Sequence, residues 1–125
     1  MAKKPQYPTL EEFLELTPAF SPLNTWQLNE EGRVVIHRVN RGLGAKFAQK
    51  FMRAPEISRI RLEEIGSFVI QHMDGQRTVR ELADLVAEQF GEQAEPRYER
   101  LAEYMRSLRN NDFIYYKGTE PEPKA

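Results

Sequence analysis

The chain of 125 residues is predicted to fold as one small α+β domain, with a small antiparallel N-terminal sheet, a three-helix bundle and a short C-terminal strand. Three observations point there. Residues 25–39 hold two β-rich runs parted by a turn-like cluster, and residues 57–62 largely alternate apolar with polar side chains. Residues 65–108 carry apolar side chains at helical spacing between clear start and stop signals. A chain of this length hides roughly two-thirds of its unfolded surface, which one shared core accomplishes.

Thr9 and Glu12 form a capping box that starts a short helix with Leu10, Phe13 and Leu14 on its apolar side. Pro18 and Pro22 then impose an extended connection, so residues 1–24 read as an N-terminal arm packed as a brace. Residues 25–28 and 33–39, rich in Trp, Val and Ile, pair as a hairpin around Asn29, Glu30, Glu31 and Gly32. In the third strand Ser58, Ile60 and Leu62 alternate with Arg59 and Arg61, while Ile57 stands out of phase.

The helices are well punctuated. Ile65, Phe68, Val69 and Met73 share one face of the first, which Asp74 and Gly75 stop. Thr78 and Glu81 cap the second, whose buried stripe is Val79, Leu82, Ala83, Val86 and Phe90 before Gly91. Pro96 suits the first turn of the third, which turns Tyr98, Leu101, Ala102, Met105 and Leu108 inward. Residues 113–116 read as the closing strand, and residues 118–125, alternating Pro and charge, as a disordered tail. The main domain is thus expected over residues 25–117, with an insertion at 40–55.

Composition is ordinary for a globular protein: 40% hydrophobic, 30% charged, net charge −1. The chain has no cysteine, so thiol nucleophiles, disulfides and thiolate metal sites are excluded, and the expected compartment is the cytoplasm. Residues 1–10 lack the apolar run of a secretory signal, and no apolar run is long enough to span a bilayer. His37 and His72 stand far apart without further ligand motifs, so no metal is expected. Gly42 and Gly44 lack the context of a phosphate loop, and no carboxylates pair as an acid and a base. No catalytic residue and no cofactor is therefore assigned.

A strand pair, a third strand entering three helices and a final strand form an order consistent with a winged-helix module. Within it, Ile60 to Val69 reads I-R-L-E-E-I-G-S-F-V, followed by Asp74-Gly75 and Thr78-Val79-Arg80-Glu81-Leu82. These words resemble the PqqD-like family, whose members run from an apolar strand through a helix to Asp-Gly and Thr-Val-x-Glu-Ile. The resemblance implies a non-catalytic peptide chaperone, or recognition element for ribosomal peptides, that presents a precursor or leader peptide to a modifying enzyme such as a radical S-adenosylmethionine (radical SAM) protein. It further implies that the peptide adds as a strand to the third strand and lies along the third helix. Carried onto this chain, the peptide-binding residues are Ile57, Ser58, Arg59, Ile60 and Arg61 on the edge and Arg97, Leu101, Tyr104 and Leu108 on the helix flank. On that reading a proline at Ile60 removes an edge N–H.

Charge is unevenly distributed. From Arg33 to Arg61 eight residues are Arg or Lys and only Glu56 is acidic. Within this stretch Leu43, Phe47 and Phe51 recur every four residues beside Lys46, Lys50 and Arg53. Phe47, Lys50 and Phe51 thus either contact an anionic membrane surface or acidic partner, or fold back on the sheet. A DNA-binding winged helix is the other alternative, since Arg97, Arg100, Arg106 and Arg109 share the third helix. Glu95, Glu99 and Glu103 on the same stretch disfavour nucleic acid. An exposed strand edge also accommodates a second copy of the chain, as a homodimer.

Overall fold

Thr9 caps helix α1 (Leu10–Leu14), its Oγ1 accepting from the Glu12 N–H at 3.2 Å. The computed structural model describes residues 9–39 and 57–121, with backbone alone at 39 and 57. The expectations for residues 1–8, for the insertion at 40–55 with Phe47, Lys50 and Phe51, and for residues 122–125 lie outside the described residues. Helix α1 buries Phe13 and Leu14. The chain then extends as β1 (Pro18–Phe20), which pairs antiparallel with the last strand, β5 (Ile114–Tyr116). The extended connection expected around Pro18 is thus a strand, and proline fits there because it begins an edge strand and has no N–H to offer a ladder.

The second sheet joins β2 (Asn24–Leu28), β3 (Val34–Val39) and β4 (Ile57–Arg61), antiparallel and in that spatial order. The β2–β3 turn is held by Asn29, whose Oδ1 accepts from the N–H groups of Glu31 and Arg33, both at 2.9 Å. Gly32 supplies the left-handed residue at φ +78°. Register places Trp26, Ile36 and Ile60 side by side on the inner face, against the core. Thr25, His37 and Arg59, then Gln27, Val35 and Arg61, make rows on the outer face, as the two-residue period of a strand requires.

Three helices cover the inner face: α2 (Glu64–His72), α3 (Val79–Phe90) and α4 (Arg97–Asn110), with a 3-10 turn at Gly91–Ala94. After α2, Asp74 Oδ1 accepts from the N–H groups of Gln76 and Arg77, which hold its carboxyl below the usual range. Thr78 and Glu81 form the expected capping box on α3. Val69, Ile70, Leu82, Met105 and Ile114 bring the helices and β5 into one core with Val34 and Ile36 of the sheet. The molecule is mixed α+β, and its small antiparallel sheets, four helices and C-terminal strand among the described residues are consistent with a small winged-helix-like fold.

Candidate functional site

The hydrogen-bond parity of β4 decides which of its backbone groups are available. Leu62 N–H donates to the Val34 carbonyl at 2.8 Å, so the alternation of an antiparallel ladder turns positions 58, 60 and 62 toward β3. The N–H and C=O groups of Arg59 and Arg61 consequently point to the other side, where no strand stands among the described residues. This corrects the expectation for Ile60: its N–H faces β3, and a proline there breaks the sheet and leaves the open edge intact. Arg59 is the position at which proline removes an edge donor.

At the C-terminal end of β4 the sheet opens into a groove of about 610 Å³. Its floor is apolar, with Leu62, Ile65, Val86, Ala94 and Leu101. Arg61 and Glu63 stand at the strand end, while Arg97, Arg100, Glu103, Tyr104 and Ser107 line it from α4. The groove exists because α4 begins only after the 3-10 turn and meets α2 at a glycine. A Cβ at Gly66 would collide with the Tyr104 hydroxyl, so the ring lies directly on the α2 backbone. Burial pushes the Tyr104 phenol upward, still further from ionisation, and its neutral hydroxyl can both donate and accept.

The structure brings Arg61, Arg97, Leu101 and Tyr104 of the expected set to one groove, with the Arg59 backbone on the same strand edge. Leu108 is not among them: at 3% exposure it packs in the core, and Ser107 takes its place on the groove wall. Ser58 and Ile60 are partly buried and turn their backbone to β3. Arg97 enters the groove already engaged, its Nε donating to Glu95 Oε1 at 2.9 Å and Nη1 to Asp84 Oδ1 at 3.2 Å. These bonds hold the Glu95 carboxyl below its usual range and raise Arg97. Arg100 differs, since among the described residues its Nη1 reaches only the carbonyls of Gln93 at 2.9 Å and Glu95 at 3.3 Å. Sequence reasoning missed Gly66, Val86, Arg100 and Ser107 as site residues. Gly66 reads as helix interior and only its contact with Tyr104 of α4 reveals it, while Val86 reads as part of the buried stripe of α3.

Among the described residues no group of His, Asp and Glu could hold a metal ion, and no helix is long and apolar enough to cross a membrane. The arrangement is a backbone edge beside an apolar trough, which suits the capture of an extended chain.

Comparison with protein families adds an independent observation. The sequence model of the family described as Coenzyme PQQ synthesis protein D (PqqD) matches residues 28–114. Neither the curated proteins nor the solved structures give a significant match. The matched residues run from the end of β2 to the start of β5, include the open edge and the whole groove, and span well over half of the sequence: the chain belongs to the PqqD family.

Proposed function

We propose that the protein is a non-catalytic peptide-binding accessory protein that takes a precursor peptide as an added strand on β4 and presents it to a peptide-modifying enzyme. The family supports a peptide-binding chaperone role in the synthesis of peptide-derived products such as coenzyme PQQ. The observation that carries the finer reading is the coincidence of outward-facing N–H and C=O groups on β4 with the apolar groove beside them. Main-chain hydrogen bonds to Arg59 and Arg61 supply affinity, and the groove between β4, α2 and α4 receives alternate side chains. Tyr104 and Arg100 offer polar groups that orient the bound chain. The protein contributes position, holding the peptide extended for a separate enzyme, and a radical SAM protein is the proposed partner in that step.

The test is titration of the isotope-labelled full chain with the precursor peptide of a PQQ-type pathway, followed by amide chemical shifts. We expect shifts centred on Arg59, Arg61, Gly66 and Tyr104, and weaker binding by folded Arg59→Pro and Tyr104→Ala variants. Undiminished affinity in folded Arg59→Pro, or shifts confined to other surfaces, refutes strand addition on β4.

A further inference from the structure

A strand laid on β4 shares its pleat, so every second side chain of the bound peptide stands beside Arg59 and Arg61 on the outer face. The intervening side chains face the side on which Leu62 and the α4 groove lie. The inference below rests on the strand-addition reading and specifies the peptide it selects.

The two edge arginines differ from the arginines that build the fold. Arg80 reaches Glu11 at 2.9 Å and Glu15 at 3.0 Å, and Arg97 reaches Glu95 and Asp84 at 2.9 and 3.2 Å. Arg59 has no ion pair among the described residues. Arg61 has only long contacts, at 3.8 Å to Glu31 and 3.7 Å to Glu63, between groups that are all more than half exposed. Pairs of that kind hold a side chain weakly. Two cations therefore project on one face, two residues apart, from the strand whose backbone is open. The acids within reach of Arg61 are Glu31 in the β2–β3 turn and Glu63 just beyond the strand end, and neither forms an ion pair with Arg59. A second copy of the chain pairing edge to edge through β4 would bring these arginines against their own counterparts, which like-charge repulsion opposes.

We infer that β4 selects a peptide that alternates acidic and apolar residues, with acids at two positions i and i+2 beside Arg59 and Arg61 and an apolar residue between them directed to the groove. Opposite charges across a strand pair attract and like charges repel, so the same two residues that favour an acidic peptide reject a basic one.

The test titrates the full chain with three end-capped peptides of equal length that alternate Val with Glu, with Gln or with Lys. Amide shifts locate binding, and fluorescence anisotropy measures affinity. The Glu peptide is expected to bind tightest, the Gln peptide about three- to tenfold more weakly, and the Lys peptide not detectably. Salt should weaken only the Glu peptide. The double variant Arg59→Glu with Arg61→Glu should invert the order and favour the Lys peptide, a gain that misfolding cannot imitate. Equal affinity for all three peptides, with shifts at Arg59, Arg61 and Tyr104, overturns the charge preference and leaves strand addition standing. Shifts at neither β4 nor the groove with any peptide overturn strand addition itself.

Discussion

Ser67 joins the sheet to the helices through one hydroxyl. Its Oγ accepts from the Val34 N–H at 2.8 Å and donates to the Leu62 carbonyl at 3.2 Å, and the side chain is buried. At the same position the β3–β4 ladder ends, so the serine supplies the partner that the Val34 N–H would otherwise lack. Ser67→Ala leaves that donor buried and unpaired, and is expected to cost about 1–3 kcal/mol in urea unfolding. Tyr116 presents the opposite case, a buried hydroxyl with no hydrogen-bond partner among the described residues. Burial pushes its pKa from 10.0 to about 12, against the lowering influence of Arg109 and Arg106. The folded state thus keeps this proton after the unfolded chain has lost it. Its stabilising contribution is complete below pH 10 and declines as the pH rises from 10 toward about 12. Tyr116→Phe keeps the ring on Phe13, now 5.6 Å away edge-on, and removes the unpaired hydroxyl. The variant should match or exceed the parent at neutral pH and lose less stability across the alkaline window, as thermal melts at several pH values will show. Neither role was readable from sequence, because both depend on a partner, or the lack of one, across the fold.

At the scale of the element, the sequence was most legible where local chemistry decides the outcome. The Thr78–Glu81 box and the Asp74–Gly75 stop fix α3 and the end of α2 through contacts within four residues. The three residues of β1 offer too short a pattern to read, and their partner β5 lies more than ninety positions away. Alternation in β4 identified its two faces correctly, with Ile60 inward and Arg59 outward. It could not identify which N–H groups meet β3, since that parity belongs to the strand pair and not to the strand. The distinction predicts opposite outcomes for adjacent substitutions. Ile60→Pro removes a ladder bond to β3, leaves the facing carbonyl of β3 unpaired, and is expected to destabilise the protein by about 1–3 kcal/mol or more. Arg59→Pro removes only an edge donor and should leave the protein folded with a smaller loss. Chemical denaturation of the two variants side by side decides it, and comparable losses would mean that the parity assigned to β4 is wrong.

The whole molecule extends beyond the part that the family model matches. Residues 28–114 contain the edge and the groove, yet the arm before β2 completes the core beneath them. Phe13 and Leu14 of α1 are buried at 4% and 1% exposure in the same cluster as Val79, Met105 and Ile114. The arm is also tied by backbone bonds: Val79 N–H to the Leu16 carbonyl, Lys117 N–H to Thr17 and Ser21 N–H to Phe113, all at 2.9 Å. Arg80 reaches back to Glu11 and Glu15, although exposed pairs of this kind add little. These contacts hold α3 and α4, the helices that carry the groove's far wall, so the arm acts on the site without touching it. Burying side chains the size of Phe13 and Leu14 contributes about 1.5–3 kcal/mol each, a large share of the stability of a domain this small. A chain shortened to begin at Asn24 loses both side chains and the partner of β5. It is expected to unfold at far lower denaturant concentration than the full chain and to lose peptide binding with its fold. Circular dichroism and amide dispersion measure the first, and a shortened chain that kept both the full stability and the groove's affinity would show that the arm is dispensable.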